Sequence, residues 1–187
     1  MPPWRAFVLF EYYDQNKNVL IFQTASGELS VEKSDNLLSM NFPARPPVNI
    51  KPPEILTQAL GVKPSFVLES RDLLAVFEDE KTVQSMKPDF KTIKKIKSYF
   101  AVIVSAPGKH SDFVSRFFAP NAGLNEDPVT GSAHCTLIPY WAKRLNKNKL
   151  HAFQLSGRKG EIFCEYLGDR VRISGHSTLF AKGEIYI

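Results

Sequence analysis

The chain has 187 residues and a formal net charge of +5, and 43% of its residues are hydrophobic. Fourteen Phe and six Tyr residues need a core in which to pack, which excludes a disordered chain. No stretch approaches the roughly 18 apolar residues of a membrane-spanning helix. The positive charge is spread along the chain, as on an ordinary solvated surface, so neither a nucleic-acid site nor a membrane contact is expected.

The N-terminal segment lacks the long apolar region and the small-residue cleavage site of a signal peptide. The two cysteines, Cys135 and Cys164, are too few for a disulfide framework and have no C-x-x-C spacing. A reduced, cytoplasmic protein is therefore expected.

The first part of the chain predicts strands followed by a linker. Residues 19–31 (VLIFQTASGELSV) are typical of a hairpin with its turn at residues 25–27, and residues 38–42 predict another strand. Five prolines between positions 43 and 53 then exclude a central strand or helix, because proline fixes φ and has no N–H group. We expect an extended linker here, with residues 1–45 in one domain and residues 46–187 in another.

The middle of the chain predicts short helices and strands in alternation. A helix should end at Gly61, and the strand at residues 99–105 is apolar throughout, so we expect it to be covered on both faces. Four lysines between residues 91 and 97 are interpreted as the solvated face of a helix whose other face carries Phe90, Ile93 and Ile96. The predicted elements are helices at 53–60, 79–86 and 90–97 and strands at 66–69, 73–78 and 99–105.

The C-terminal third predicts an antiparallel meander with strands at 152–155, 161–167, 170–174 and 178–181. Gly168 followed by Asp169 suits a type II′ hairpin turn, in which glycine comes first. Ile162 and Cys164 share one face of their strand, so Cys164 is better explained as a core residue than as a nucleophile. Mixed strands with few helices indicate an α+β fold.

The stretch with the clearest chemistry is residues 125–145, NEDPVTGSAHCTLIPYWAKRL. Pro128 ends an extended segment, and Thr130, Gly131 and Ser132 open a helix, with Gly131 permitting an unusual φ and Thr130 or Ser132 serving as the cap. Free N–H groups at such a helix start can hold a substrate carboxylate, and the nearby Asp127 carboxylate can move a proton. The alternative is that Asp127 caps the helix and the residues after it form an ordinary turn.

Other residues in or near this stretch are expected either to be structural or to contact substrate. We expect a kink at Pro139, because it removes a hydrogen bond to the carbonyl of Cys135. Cys135 is expected to be a small buried residue, and His134 either contacts substrate or is structural. A later trio either lines the site or belongs to a surface hairpin: Gln154, Ser156 and Arg158.

Three runs, SRFFAP at 115–120, GLNEDPVTGSAHCTLIPYWAKRLNKNKLHAFQLSGRKGEI at 123–162 and GDRVRISG at 168–175, resemble the PhzF family of phenazine biosynthesis-like proteins. The resemblance implies a diaminopimelate-epimerase-like fold, with two lobes of curled, mostly antiparallel sheet, each around a central helix, and the helix at residues 132–145 central to the second lobe. It implies that Asp127 and Ser132 are catalytic and that Thr130, Gly131 and Ser132 bind substrate. It also implies a cofactor-independent proton shift on a small carboxylate-bearing, cyclic hydroxy-amino acid-like substrate, without metal, nucleotide or pyridoxal group.

The pattern departs from the family in the first lobe. The family's catalytic glutamate in a Ser-Glu-Thr context, and its histidine in a Gly-His-Ala-Thr context, do not occur in this sequence. Gly175-His176-Ser177-Thr178 is only a partial match, and His176 is interpreted as a strand residue. Residues 1–45 are therefore expected to be the remnant of a truncated first lobe plus linker. Two hypotheses follow: an isomerase that uses Asp127, or a catalytically inactive interaction or regulatory protein, which is expected to form a homodimer or a heterodimer.

Overall fold

The computed structural model describes residues 3–24 and 27–184, and the chain divides into two compact units. The smaller unit comprises residues 1–41 and 174–187, and the larger unit comprises residues 42–173. The assignment of residues 1–45 to the remnant of a first lobe stays a prediction. No helix in the described ranges is long and apolar enough to cross a membrane.

The smaller unit contains a helix that the sequence did not predict, followed by the predicted strands. Helix α1 buries Ala6 and Phe10, and β1 pairs with β2 in antiparallel register with Val19 opposite Glu32. The hairpin at residues 19–31 is thus confirmed, although positions 25 and 26 of its turn lie outside the described residues. The elements are α1 (Pro3–Tyr12), β1 (Val19–Thr24), β2 (Gly27–Ser34) and β3 (Leu37–Pro43), together with the end of β11 (Arg170–His176).

The predicted strand at residues 178–181 is wrong. Residues 177–184 form no helix or strand, and Leu179 and Phe180 are exposed. Alternating apolar residues indicate a strand only where one face can be buried, and these side chains face solvent. His176, in contrast, is the last residue of β11, as predicted.

The larger unit is built on a sheet with strand order β11-β10-β9-β8-β7-β6-β5-β4. Its pairs β6–β7 and β8–β9 are parallel, whereas β4–β5, β5–β6, β7–β8 and β9–β10 are antiparallel. The predicted α+β class with a mostly antiparallel sheet is confirmed. The strands are β4 (Val48–Asn49), β5 (Phe66–Glu69), β6 (Leu73–Val76), β7 (Val102–Pro107), β8 (Phe113–Phe118), β9 (Lys149–Gln154) and β10 (Gly160–Tyr166).

Helices cover both faces of this sheet. One apolar cluster lies around α5, and a second contains the buried residues of α2, α3 and α4. In β7, Ile103 belongs to the first cluster and Val102 and Val104 to the second, so the predicted cover on both faces is confirmed. The helices are α2 (Ile55–Leu60), α3 (Glu80–Ser85), α4 (Phe90–Ile93) and α5 (Gly131–Leu145).

Several predicted elements are shorter or shifted. The strand predicted at 73–78 ends at Val76, and the strand predicted at 152–155 begins at Lys149. The strand predicted from residue 99 begins at Val102, because Phe100 is exposed and outside the sheet. The helix predicted at 90–97 is a four-residue helix followed by turns. Its apolar face is nevertheless as expected, since Ile93 and Ile96 are buried while the lysines beside them are exposed.

Helix α5 is the central helix of the larger unit, as predicted. Every residue from 133 to 139 is buried, and a helix that is buried on all sides must lie inside a core. Pro139 lies within it and leaves the Cys135 carbonyl without its helical donor. The backbone N–H of Arg45 donates to that carbonyl at 2.8 Å, so the proline-rich segment replaces the missing helical hydrogen bond. The kink at Pro139 stays a prediction.

The φ angles of the turn between β10 and β11 agree with the predicted turn type. Gly168 has φ of +85°, whereas Asp169 does not have a positive φ, as a type II′ turn requires. Ile162 and Cys164 of β10 are buried in the cluster around α5. Cys164 is therefore a core residue, as expected, and burial raises the pKa of its thiol.

Candidate functional site

The loop before α5 is attached to the sheet at several points. The Asp127 N–H donates to the Phe117 carbonyl at 3.1 Å, and the Ser156 hydroxyl donates to the Pro128 carbonyl at 2.7 Å. Pro128 and its neighbours cannot continue a strand, so the chain needs these contacts to hold its direction. These hydrogen bonds thus fix the backbone that positions Asp127 and the start of α5.

Gln154 is the residue that joins the two ends of this loop. Its Oε1 accepts from the Thr130 N–H at 2.8 Å, and its Nε2 donates to the Asp127 carbonyl at 2.7 Å and to Thr130 Oγ1 at 3.2 Å. Its side chain is fully buried. A buried amide with both ends bonded has one orientation, so Gln154 fixes the distance between Asp127 and the helix start.

Thr130 is the N-cap residue of α5, but its hydroxyl does not cap the helix. It donates instead to Asp127 Oδ2 at 2.6 Å. Of the two predicted caps, neither Thr130 nor Ser132 makes a side-chain cap to the first turn. The first N–H groups of α5 therefore keep their capacity to donate, and a carboxylate is tied to the residue immediately before them.

Gly131 occupies the first helical position, and the unusual φ predicted for it is wrong. It does not have a positive φ, so its backbone does not require glycine. An added Cβ would have no heavy atom within 4 Å apart from its own chain neighbours and helix backbone. Neither folding nor packing therefore demands glycine here, and the space in front of the first turn of α5 is open.

Ser132 follows at the first turn and is partly exposed. Its Oγ accepts from Arg71 Nη2 at 3.3 Å. The same guanidinium contacts the buried carboxylate of Asp72 through Nε and Nη2, with an Nη2–Oδ2 distance of 2.8 Å. The guanidinium, paired with Asp72, thus lies beside the start of α5 and donates to a side chain of its first turn.

His134 is a structural residue rather than a substrate contact. It is 0% exposed, and its Nδ1 lies 2.8 Å from the Thr130 carbonyl. A carbonyl only accepts, so Nδ1 carries the proton of the neutral ring. Burial lowers the pKa of His134 to about 4, which keeps the ring neutral at pH 7.

Cys135 is buried one turn into α5, as expected for a small core residue. Burial raises the pKa of its thiol, and the nearby Arg45 and Arg71 charges only partly oppose this effect. A thiol is a weak proton acceptor, because the thiolate is the reactive form. Asp127 is therefore the better candidate base.

Gln154, Ser156 and Arg158 were expected either to line the site or to belong to a surface hairpin, and the structure separates them. Gln154 and Ser156 are buried and support the loop, whereas Arg158 is exposed in the turn before β10. Within the described ranges, no group of three or more His, Cys, Asp or Glu side chains has the arrangement of a metal site.

Sequence reasoning missed Arg71 and the role of Gln154. A usable signal existed for Gln154, because Leu150, Ala152 and Gln154 alternate on the buried face of β9. A glutamine on a buried strand face must have hydrogen-bond partners. Arg71 carried no such signal, since Arg in a turn between strands is usually solvated.

A close contact between the loop and β10 gives a first prediction. A Cβ on Gly160 would lie 2.4 Å from Val129 Cγ2 and 3.0 Å from Cγ1. We expect Gly160→Ala to lower the free energy of unfolding by about 1–2 kcal/mol, because the two methyl groups must move. Urea unfolding measures this loss. In a Val129→Ala background the same substitution should cost little, and an equal loss in both backgrounds would rule out this contact as the cause.

Together, these groups can support proton transfer at a carbon acid. Asp127 is a carboxylate that can accept a proton, the first N–H groups of α5 can hold an anion, and Ser132 adds a hydroxyl donor. The predicted site residues Asp127, Thr130, Gly131 and Ser132 are thus adjacent at one helix start.

Comparison with known proteins agrees with the sequence resemblance. The family model described as phenazine biosynthesis-like protein (PhzC-PhzF) matches residues 5–183. An uncharacterized isomerase of Pseudomonas aeruginosa is 50% identical over 181 residues, which are 96% of this chain and 69% of that protein. The crystal structure of a PhzF-family protein of Enterococcus faecalis is similar with a TM-score of 0.94 and 46% identity, covering 97% of this chain and 70% of the other.

A more distant likeness concerns the fold alone. A hydroxyproline epimerase of Agrobacterium vitis, crystallised with trans-4-hydroxy-L-proline, has a TM-score of 0.54 and 9% identity over 92% of this chain and 61% of the epimerase. The expected epimerase-like fold is therefore confirmed.

Proposed function

Since this chain belongs to the phenazine biosynthesis-like family, we propose that it is a cofactor-independent isomerase. Its substrate is a small molecule that bears a carboxylate, of the cyclic hydroxy-amino acid type. Asp127 and Ser132 are the catalytic residues, and Thr130, Gly131 and Ser132 form the substrate-binding start of α5. The observation that carries the proposal is the 2.6 Å hydrogen bond from Thr130 Oγ1 to Asp127 Oδ2, at a helix start without a side-chain cap.

The proposed reaction moves one proton and needs no oxidant or reductant. The substrate carboxylate accepts hydrogen bonds from the N–H groups of Gly131 and Ser132. Asp127 accepts the proton from the carbon next to that carboxylate, and the electron pair of the C–H bond passes into the substrate as an enolate. The N–H groups and the Ser132 hydroxyl stabilise the added negative charge. The Asp127 carboxyl group then returns the proton to a carbon of the substrate.

A single carboxylate is sufficient for this sequence of steps. The group that removes the proton is the group that returns it, so the chemistry does not require a second acid. Asp127 is restrained by Thr130, and Thr130 is restrained by Gln154, which keeps the base in place between the two transfers. Such preorganisation lowers the barrier without any added contact.

The experiment that tests the proposal is proton exchange in heavy water. The protein is incubated with trans-4-hydroxy-L-proline and with other cyclic amino acids that carry a carboxylate, and loss of the α-proton signal is followed by NMR. Trans-4-hydroxy-L-proline is included because the distant epimerase binds it. Enzyme-dependent exchange supports the isomerase. No exchange on any cyclic carboxylate would favour the alternative of a catalytically inactive interaction protein.

Gly131→Ala gives a sharper prediction within this assay. Alanine is the better helix former and meets no protein atom here, so the free energy of unfolding should stay the same or rise by up to about 1 kcal/mol. The new methyl group would occupy the space through which substrate approaches the first N–H groups. We expect the exchange rate to fall about a hundredfold, a loss of about 2.7 kcal/mol in transition-state binding. A variant that exchanges as fast as the original protein would show that substrate does not bind at this helix start.

A further inference from the structure

The turn at residues 70–72 is fixed against the first turns of α5. Ser70 Oγ and Thr136 Oγ1 lie 2.9 Å apart within hydrogen-bond distance. Asp72 is 0% exposed, and its carboxylate is paired with the Arg71 guanidinium. The Phe100 ring lies 4.9 Å from the guanidinium carbon, in cation–π range. The Arg71 side chain is therefore held by Asp72 and Phe100, on a turn that is itself attached to the helix.

The contact between Arg71 and Ser132 has one possible direction. A guanidinium has only donors, so the Ser132 oxygen accepts the 3.3 Å hydrogen bond from Nη2. The Ser132 hydroxyl proton then has to point away from Arg71. A hydroxyl that accepts from a positive charge is also a stronger donor, because hydrogen bonds in a chain polarise one another.

Arg71 neutralises the buried carboxylate of Asp72, but this pairing does not account for its contact with Ser132. Nε and Nη2 both contact the Asp72 carboxylate, and this pairing alone satisfies the buried charge. The additional bond to Ser132 joins the ion pair to a residue of the site. Arg71 Nη2 donates both to Asp72 Oδ2 and to Ser132 Oγ, so the guanidinium reaches Ser132 without giving up Asp72.

We infer that Arg71 is a positioning residue for Ser132. It holds the serine hydroxyl with its proton directed toward the anionic group bound at the first turn of α5, and so strengthens that hydrogen bond. This inference rests on the proposed function, because it assigns a partner to the Ser132 hydroxyl of the same site. Arg71 itself contacts Ser132 and Asp72 rather than the reacting atoms.

The test is a double-mutant cycle on carboxylate binding. The probe is trans-4-hydroxy-L-proline, and its dissociation constant is obtained from the shifts of the Gly131 and Ser132 amide signals in ¹⁵N-labelled protein. Arg71→Gln is combined with Asp72→Asn, so that no buried carboxylate is left unpaired. We expect this pair of changes, and Ser132→Ala alone, each to weaken binding about tenfold, as for a hydrogen bond to a charged group. All three changes together should still weaken it about tenfold, because Arg71 acts through Ser132.

A matched control is the Arg172–Glu165 ion pair, with an Nη1–Oε2 distance of 2.6 Å. Arg172→Gln with Glu165→Gln also removes one charge of each sign, and it should leave the dissociation constant unchanged. An additive, roughly hundredfold loss in the triple variant would overturn the inference, because Arg71 would then act independently of Ser132. Unchanged binding after the Arg71 and Asp72 changes would overturn it as well.

Failure of the inference and failure of the proposed function give different results. If Ser132→Ala weakens binding of the probe but the Arg71 and Asp72 changes do not, the Arg71 assignment falls and the isomerase proposal is untouched. If the original protein exchanges no α-proton but the cycle is non-additive, the reaction is wrong and the Arg71 assignment stands for binding. If the amides of Gly131 and Ser132 do not respond to the probe at all, both are overturned.

Discussion

Asp127→Asn is expected to lower the rate of proton exchange by about 10²–10⁴-fold, the usual contribution of a general base. The amide keeps the size of the side chain, and its oxygen can still accept from Thr130 Oγ1, which lies 2.6 Å from Oδ2 in the native protein. It has no basic lone pair that can take a proton from carbon. The loop and the helix start should therefore be preserved while the chemistry is lost.

The measurement is the exchange rate in heavy water, compared with the free energy of unfolding of the same samples. Asp169→Asn is the matched control, because Asp169 is exposed in the β10–β11 turn and loses the same charge. We expect the control to keep the native rate. If Asp127→Asn retained full exchange activity, Asp127 would not be the base, whatever its place at the helix start.

His134 should make the protein less stable in mild acid. Burial lowers the pKa of His134 to about 4, whereas an unfolded histidine has a pKa of about 6.5. Between these values the unfolded chain binds a proton that the folded protein excludes, so stability falls as the pH falls. The stabilisation is complete above about pH 6.5 and is lost progressively toward pH 4, a change of about 3 kcal/mol.

His134→Gln isolates this effect. Glutamine can still donate to the Thr130 carbonyl, but it does not titrate. At pH 7 the variant should be less stable by about 1–2 kcal/mol, since it fills the site less well. Urea unfolding at several pH values between 7 and 4 should give a flatter curve than for the native protein. His110→Gln, on an exposed loop, should leave the slope unchanged. Parallel curves for the native protein and His134→Gln would contradict a neutral buried histidine.

Sequence patterns predicted the elements that bury one regular face. The hairpin of β1 and β2, strand β7 and the meander of β9 to β11 follow from runs of strand-forming residues, and α5 follows from its cap region and apolar length. The predictions are wrong where a strand-like pattern has no surface to pack against, or where tertiary packing stabilises a helix with weak sequence signals. The tail near Leu179 has strand-like residues but no face to bury, and α1 buries Ala6 and Phe10 against its own unit despite weak sequence signals.

The candidate site was predictable only where it is continuous in sequence. Asp127, Thr130, Gly131 and Ser132 lie within six positions, so spacing alone places them at one helix start. Arg71 comes from a turn 61 positions before Ser132, and Gln154 from a strand 24 positions after Thr130. Contacts over such separations depend on strand order and register, and a single sequence does not specify these. The resemblance to the family identified the loop but not the residues that support it.

The Arg45 N–H replaces the hydrogen bond that Pro139 cannot donate to the Cys135 carbonyl, and this has a consequence for measuring local opening of the structure. Between Pro43 and Pro46 the backbone has only two amide protons, those of Ala44 and Arg45. Ala44 donates to the carbonyl of Asp169 at 2.8 Å, and Arg45 donates to that of Cys135 at 2.8 Å. Each amide is thus a reporter for a different opening event, the turn between β10 and β11 in one case and the first half of α5 in the other. Their separate rates of exchange with solvent would show whether the helix of the site opens independently of the sheet.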